Sequence, residues 1–118
     1  MLRIFRTEAF VSDVDHQILW YLEETGLEEL FAAELAQRFA AAVEETLEFL
    51  ARTPGAGRPR AVRFSDLTGY RGLNVFEPFG RFRIYYRVIG QQLHAERLLE
   101  GQRRSVSPSR QNYLPRSD

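Results

Sequence analysis

The eight residues FRIYYRVI, positions 82 to 89, constrain this chain more than any other stretch. Aromatic and β-branched side chains fit a pleated sheet and lose rotamer freedom in a helix, so the segment predicts a strand. Alternation puts Phe82, Ile84, Tyr86 and Val88 on one face and Arg83, Tyr85, Arg87 and Ile89 on the other. The first face reads as core; the second carries two arginines on either side of a tyrosine. Gly90-Gln91 follows and suits a type II′ turn, whose first position needs positive φ. Pairing across that turn predicts a hairpin with Val88 opposite Leu93, Tyr86 opposite Ala95 and Phe82 opposite Leu99. The same register sets His94 opposite Arg87 and Glu96 opposite Tyr85. It also places Arg97 on the core side with Leu93, Ala95 and Leu99. A guanidinium there needs an acid or several acceptors, so Arg97 either reaches the sheet edge or ion-pairs inside, with Glu77 as the candidate partner.

Upstream, Leu2 to Arg6 reads as a short first strand. Ser12, with Asp15 three residues on, has the pattern of a capping box. It predicts a helix to about Thr25 with the stripe Val14, Ile18, Tyr21 and Leu22, closed by Gly26. A longer helix from about Leu27 to Arg52 carries Phe31, Leu35, Phe39, Val43, Leu47 and Leu50 on one side. Thr53-Pro54-Gly55 stops it. Residues 54 to 60, PGAGRPR, form a basic connection. Strands are expected at 61–65 and 70–76, with turns at 66–69 and 77–80. The predicted architecture is α+β: an N-terminal strand and a helical hairpin packed on one face of a twisted antiparallel sheet of about four strands.

At 118 residues the chain is long enough for one hydrophobic core. Residues 1–104 read as that domain, and the Ser/Pro/Arg-rich segment 105–118 as a flexible or partner-ordered tail. The formal net charge of zero hides an asymmetry. Residues 1–50 hold three arginines against eleven acids, and residues 51–118 hold thirteen arginines against five acids. The balances are −8 and +8, so an acidic helical half and a basic sheet half are expected. All sixteen basic residues are arginine, whose planar fork suits phosphates and carboxylates.

Cysteine is absent, which excludes disulfides and thiolate metal sites. With His16 and His94 alone, a histidine metal site is not expected either, and no metal or cofactor is foreseen. No apolar run approaches the roughly 20 residues of a membrane span. The start, MLRIFRTEAFVSD, does not read as a signal peptide. A cytoplasmic protein that does not engage membrane is expected. No phosphate-binding loop, nucleophile elbow or HExxH pattern occurs. Glu44, Glu45 and Glu48 read as a solvated helix face, and His16 as a surface residue.

The candidate site is a set of arginines: Arg83, Arg87, Arg97, Arg103 and Arg104, with Tyr85 among them. Arg83, Tyr85 and Arg87 form a row because i and i+2 are neighbours on a sheet face. Such a row binds anions through charge-assisted hydrogen bonds, and a tyrosine within it can stack on a base.

Four blocks in order, GRPR (57–60), YRGL (70–73), FEPFGRFRIYYRV (76–88) and ERLLEGQRR (96–104), resemble the ParE branch of the RelE/ParE toxins. These are toxin halves of bacterial toxin–antitoxin modules, also called plasmid stabilisation proteins. The resemblance implies a twisted antiparallel sheet with helices packed on it. It also implies a cognate antitoxin of the ParD kind, with an acidic amphipathic segment wrapping the hairpin and sheet in a hetero-oligomer. The ParE branch poisons DNA gyrase without a catalytic cycle of its own. The RelE branch cleaves messenger RNA on the ribosome, and by position Arg83 and Arg103 match arginines used there. Other RelE positions differ. Asn74 and Phe76 stand where lysines are expected, Ser107-Pro108-Ser109 where a tyrosine is, and Glu100 where a histidine is. A gyrase inhibitor is therefore the leading expectation. A ribosome-dependent endoribonuclease using Arg83 and Arg103, or a non-toxic partner-binding module of the same fold, are the alternatives.

Overall fold

The first helix begins where Thr7 ends the first strand. A computed structural model describes residues 1–59 and 69–101. The strand expected at 61–65, most of the turn at 66–69, the tail at 105–118, and Arg103 and Arg104 lie outside those residues. Strand β1 is Arg3–Arg6 and helix α1 is Glu8–Glu23. Extended backbone at Thr7 (φ −69°, ψ 161°) lets its hydroxyl accept the Phe10 N–H at 3.0 Å. Glu8 in the first turn adds a charge that the helix dipole favours. The cap is thus Thr7 and not Ser12, which sits exposed inside the helix. The extra turn buries Phe10, and the stripe runs Phe10, Val14, Ile18, Tyr21. Leu22, expected in that stripe, faces solvent.

Gly26 takes the left-handed conformation (φ +75°) in the short link to α2, Glu29–Arg52. From Phe39 onward the predicted stripe is buried as expected: Phe39, Val43, Leu47 and Leu50 are all at most 1% exposed. At the helix start the buried line runs through Ala32 and Ala36 instead. Phe31, one position round, is turned outward and is 60% exposed. A single 3₁₀ turn, Pro54–Ala56, ends the helical half.

The remaining strands are β2 (Arg58–Pro59), β3 (Arg71–Asn74), β4 (Phe82–Ile89) and β5 (Gln92–Glu100). The sheet order is β1-β5-β4-β3-β2. Among the described residues it has five strands and is mixed, because β1 runs parallel to β5 while the other neighbours are antiparallel. β1 was foreseen as a strand, but its place beside β5 was not; nor was β2, a two-residue edge strand ended by Pro59, whose missing N–H costs nothing there.

Gly90 has φ +60° in the β4–β5 turn, and Val88–Leu93 and Tyr86–Ala95 pair as predicted. Beyond them the register shifts. Tyr85 pairs with Arg97 and Phe82 with Glu100, leaving Glu96 as the extra residue of a bulge. The cause lies beside β5. β1 stops at Arg6, and the Thr7 hydroxyl donates to the Glu96 carbonyl at 2.9 Å. The Asp13 carboxylate then accepts the Leu98 N–H at 2.9 Å, where a neighbouring strand would have done so. Past the bulge Leu98 faces the core at 4% exposure and Arg97 does not.

Both helices lie on one side of the sheet, and their apolar stripes meet Phe82, Ile84, Tyr86, Leu93, Ala95 and Leu98. Two buried hydroxyls fasten loops to this core. Thr46 donates to Ala42 O at 2.7 Å and accepts the Phe76 N–H at 3.1 Å. The Tyr86 hydroxyl donates to Pro54 O at 2.7 Å and accepts the Gly57 N–H at 2.9 Å.

Candidate functional site

The face of the sheet turned away from the helices is built from rungs that cross the strands. One rung runs Phe5 on β1, His94 on β5, Arg87 on β4, and Tyr70 just before β3. The Phe5 and His94 rings lie 4.9 Å apart at 44°. The Arg87 guanidinium sits 5.1 Å from the Tyr70 ring centre, a cation–π contact. Its Nε also donates to Glu96 at 3.3 Å, and His94 Nε2 lies 3.0 Å from the Gln92 side-chain oxygen. The next rung pairs Arg97, Tyr85 and Gly72. The third pairs Arg83 with Leu99 and Asn74. Arg83 Nε donates to Asn74 Oδ1 at 3.0 Å, and its Nη1 is 3.5 Å from the Tyr85 hydroxyl.

The row Arg83, Tyr85, Arg87 therefore stands on the open face, as alternation predicts. Arg97 does not sit on the core side, and Glu77 is not its partner. The bulge turns it to the open side, opposite Tyr85, and it reaches round the strand to α1. There Asp13 accepts from its Nε at 2.7 Å and its Nη2 at 3.0 Å. This hydrogen-bonded carboxylate pushes the guanidinium further above its usual range, so Arg97 is a fixed, compensated charge. Arg103 and Arg104 fall outside the described residues. Glu96 is not opposite Tyr85; as the bulge residue it pairs with Arg87.

Chemically, this face offers fixed cations and flat rings. Among the described residues, the positions that depart from the RelE pattern have other work here, and Ser107-Pro108-Ser109 lies outside them. Asn74 holds Arg83, the Phe76 ring packs 5.7 Å from Phe49, and Glu100 forms an ion pair with Arg81. Among the described residues no group of three or more His, Cys, Asp or Glu could hold a metal ion. No helix among them is long and apolar enough to cross a membrane. Sequence reasoning missed Phe5 and His94 as a pair. The signal was the alternation in LRIFR, which sends Ile4 to the core and Phe5 to the other side.

The outer surface of the helical hairpin differs in character. Val11, Leu19 and Leu22 on α1, and Leu27, Leu30 and Phe31 at the start of α2, are all exposed. Acids surround them: Glu8 and Asp15 line one groove with Val11 and Leu19, and Glu34 lines another with Leu27 and Phe31.

The family model for the ParE toxin of type II toxin–antitoxin systems matches residues 4–104. Among solved structures, the chain is similar to one of a chromosomal ParDE TA system from P. aeruginosa, at 23% identity and a TM-score of 0.63. That match covers 86% of this chain and 98% of the other. It is also similar to a YoeB/ParE toxin from Agrobacterium tumefaciens, at 19% identity and a TM-score of 0.54, covering 86% and 100%. No curated protein matches it. With the family model spanning both helices and β3 to β5, the chain belongs to the ParE toxin family of type II toxin–antitoxin systems.

Proposed function

We propose that this protein is a gyrase-directed toxin whose open sheet face engages the target and whose helical hairpin is covered by a cognate antitoxin. One observation carries the first half: among the described residues, Arg83, Tyr85 and Arg87 stand in a row on the face turned away from the helices, while Asn74, Phe76 and Glu100 are committed to structure. His94 and Glu96 on this face are engaged by Gln92 and Arg87, so its guanidinium groups suit binding and poisoning better than phosphodiester cleavage, which needs a base for the attacking hydroxyl. The second half is supported by the exposed apolar strips on α1 and α2. An amphipathic helix from a partner can lay its own stripe there. An acidic stretch of the same partner fits the arginine row.

Purified protein is expected to inhibit gyrase supercoiling and to trap cleavage complexes. Full gyrase activity at stoichiometric excess overturns this. Arg83 alone favours a ribosome-dependent endoribonuclease, and primer extension on translated messages separates the two: new 5′ ends appear only if the chain cleaves.

A further inference from the structure

We propose that the open face binds single-stranded nucleic acid, with Phe5 and His94 as its stacking platform. The inference deepens the reading of this face as the effector surface and rests on it.

Phe5 is 47% exposed although it is a large apolar ring at the middle of a strand. Burial elsewhere shows that the fold has room for aromatic side chains: Phe10, Phe39, Phe79 and Phe82 are all at most 5% exposed. Phe5 instead presents its ring beside His94 at 4.9 Å, on the side away from both helices. Arg87 follows on the next strand and is placed over Tyr70. Tyr85 and Arg83 stand one and two rungs along, about 7 Å apart per step on β4. Along β4 a ring thus stands between two guanidinium groups, and the exposed Phe5 ring and the half-buried His94 ring lie beside them; Tyr70, 3% exposed beneath Arg87, is no part of the platform.

A protein partner with an acidic surface would need the arginines alone. Single strands use both parts: phosphates meet the guanidinium groups, and unpaired bases stack on exposed rings regardless of sequence. A duplex keeps its bases stacked on each other and cannot use the rings. Arg83 suits the phosphate role because the partners that orient it, Asn74 and the Tyr85 hydroxyl, are neutral.

The test is fluorescence anisotropy of the full chain with labelled oligothymidine of about 12 nucleotides, within the site sizes of single-strand binders. Its duplex with oligoadenosine and poly-glutamate are the comparison ligands. Oligothymidine is expected to bind most tightly, with affinity falling as salt rises. Phe5→Ala and His94→Ala should each weaken it about tenfold, the scale of one lost stacking contact. Phe5→Trp should retain or improve binding, and circular dichroism should show all three variants folded. Equal binding of the duplex or poly-glutamate overturns the proposal, as does indifference to both alanine variants. The gyrase assay on the same preparation keeps the two readings apart. Inhibition without strand binding sinks this inference alone, and strand binding without inhibition sinks the gyrase reading alone.

Discussion

Tyr86 shows how one hydroxyl ties the two halves together. Its ring is fully buried under α2, and its oxygen both donates to Pro54 and accepts from Gly57. Tyr86→Phe keeps the ring and strands a buried N–H and a buried carbonyl. Urea denaturation should show a loss of about 1–3 kcal/mol, the cost of leaving such groups unpaired. Tyr86→Ala should cost about 3–5 kcal/mol, because a cavity is added. Gly57→Ala is the converse test. A Cβ there would lie 2.5 Å from the Tyr86 oxygen, so the chain or the ring must move. Burial raises the Tyr86 pKa above the ordinary tyrosine value, and the hydrogen bond from Gly57 only partly opposes this. The sign follows. The unfolded chain gives up this proton at about pH 10 and the folded chain holds it longer. Its contribution is complete below pH 10 and is lost as pH rises through the folded value. Tyr86→Phe should lack that alkaline loss.

At the scale of elements, β5 is set by what lies beside it. Its first half has a strand neighbour, β1; its second half has Asp13 from α1. Asp13→Ala removes the acceptor for the Leu98 N–H and the partner of Arg97. A loss of about 1–3 kcal/mol is expected, mostly from the orphaned amide, since the Arg97 side chain is 38% exposed and its ion pair is partly screened. Hydrogen exchange at Leu98 should accelerate in this variant and stay unchanged in Glu77→Ala. The same contact explains what was legible beforehand. Alternation in FRIYYRVI placed Phe82, Ile84 and Tyr86 in the core and Arg83, Tyr85 and Arg87 on the other face, because burial on one side enforces a period of two; Val88, expected in the core, is 43% exposed at the strand end. The first two hairpin pairs followed from Gly90. The bulge was not legible, because Asp13 is 84 positions from Arg97 and nothing local in AERLLEG marks the extra residue. The early start of α1 was legible in principle. Thr7 with Phe10 competes with Ser12 with Asp15, and tertiary burial of Phe10 decides for the former. Phe31 misled for the opposite reason: periodicity counts apolar side chains but does not tell a buried stripe from an exposed one.

Among the described residues two surfaces differ by layer. Arg83 and Arg87 stand on the sheet face turned from the helices, and acids decorate helices that also expose Leu19, Leu30 and Phe31. Under the proposed function these surfaces serve different partners, so they should fail independently. Arg83→Glu with Arg87→Glu reverses the row. At Arg83 such a change should cost no more than about 0.5 kcal/mol; Arg87 also covers the buried Tyr70 ring and pairs with Glu96, so circular dichroism must first show the double variant folded. Leu19→Asp with Leu30→Asp instead removes apolar area from the hairpin, at positions that contribute little to the core. Growth of cells expressing each variant, with and without an antitoxin encoded beside it, reads the outcome. The arginine reversal should abolish toxicity. The leucine pair should stay toxic and escape neutralisation, because the surface that captures the antitoxin is lost while the effector face is intact. If reversing the arginines leaves toxicity unchanged, the row serves solubility and the effector face lies elsewhere. If the leucine pair is still neutralised, the exposed hairpin strips are not where the antitoxin binds.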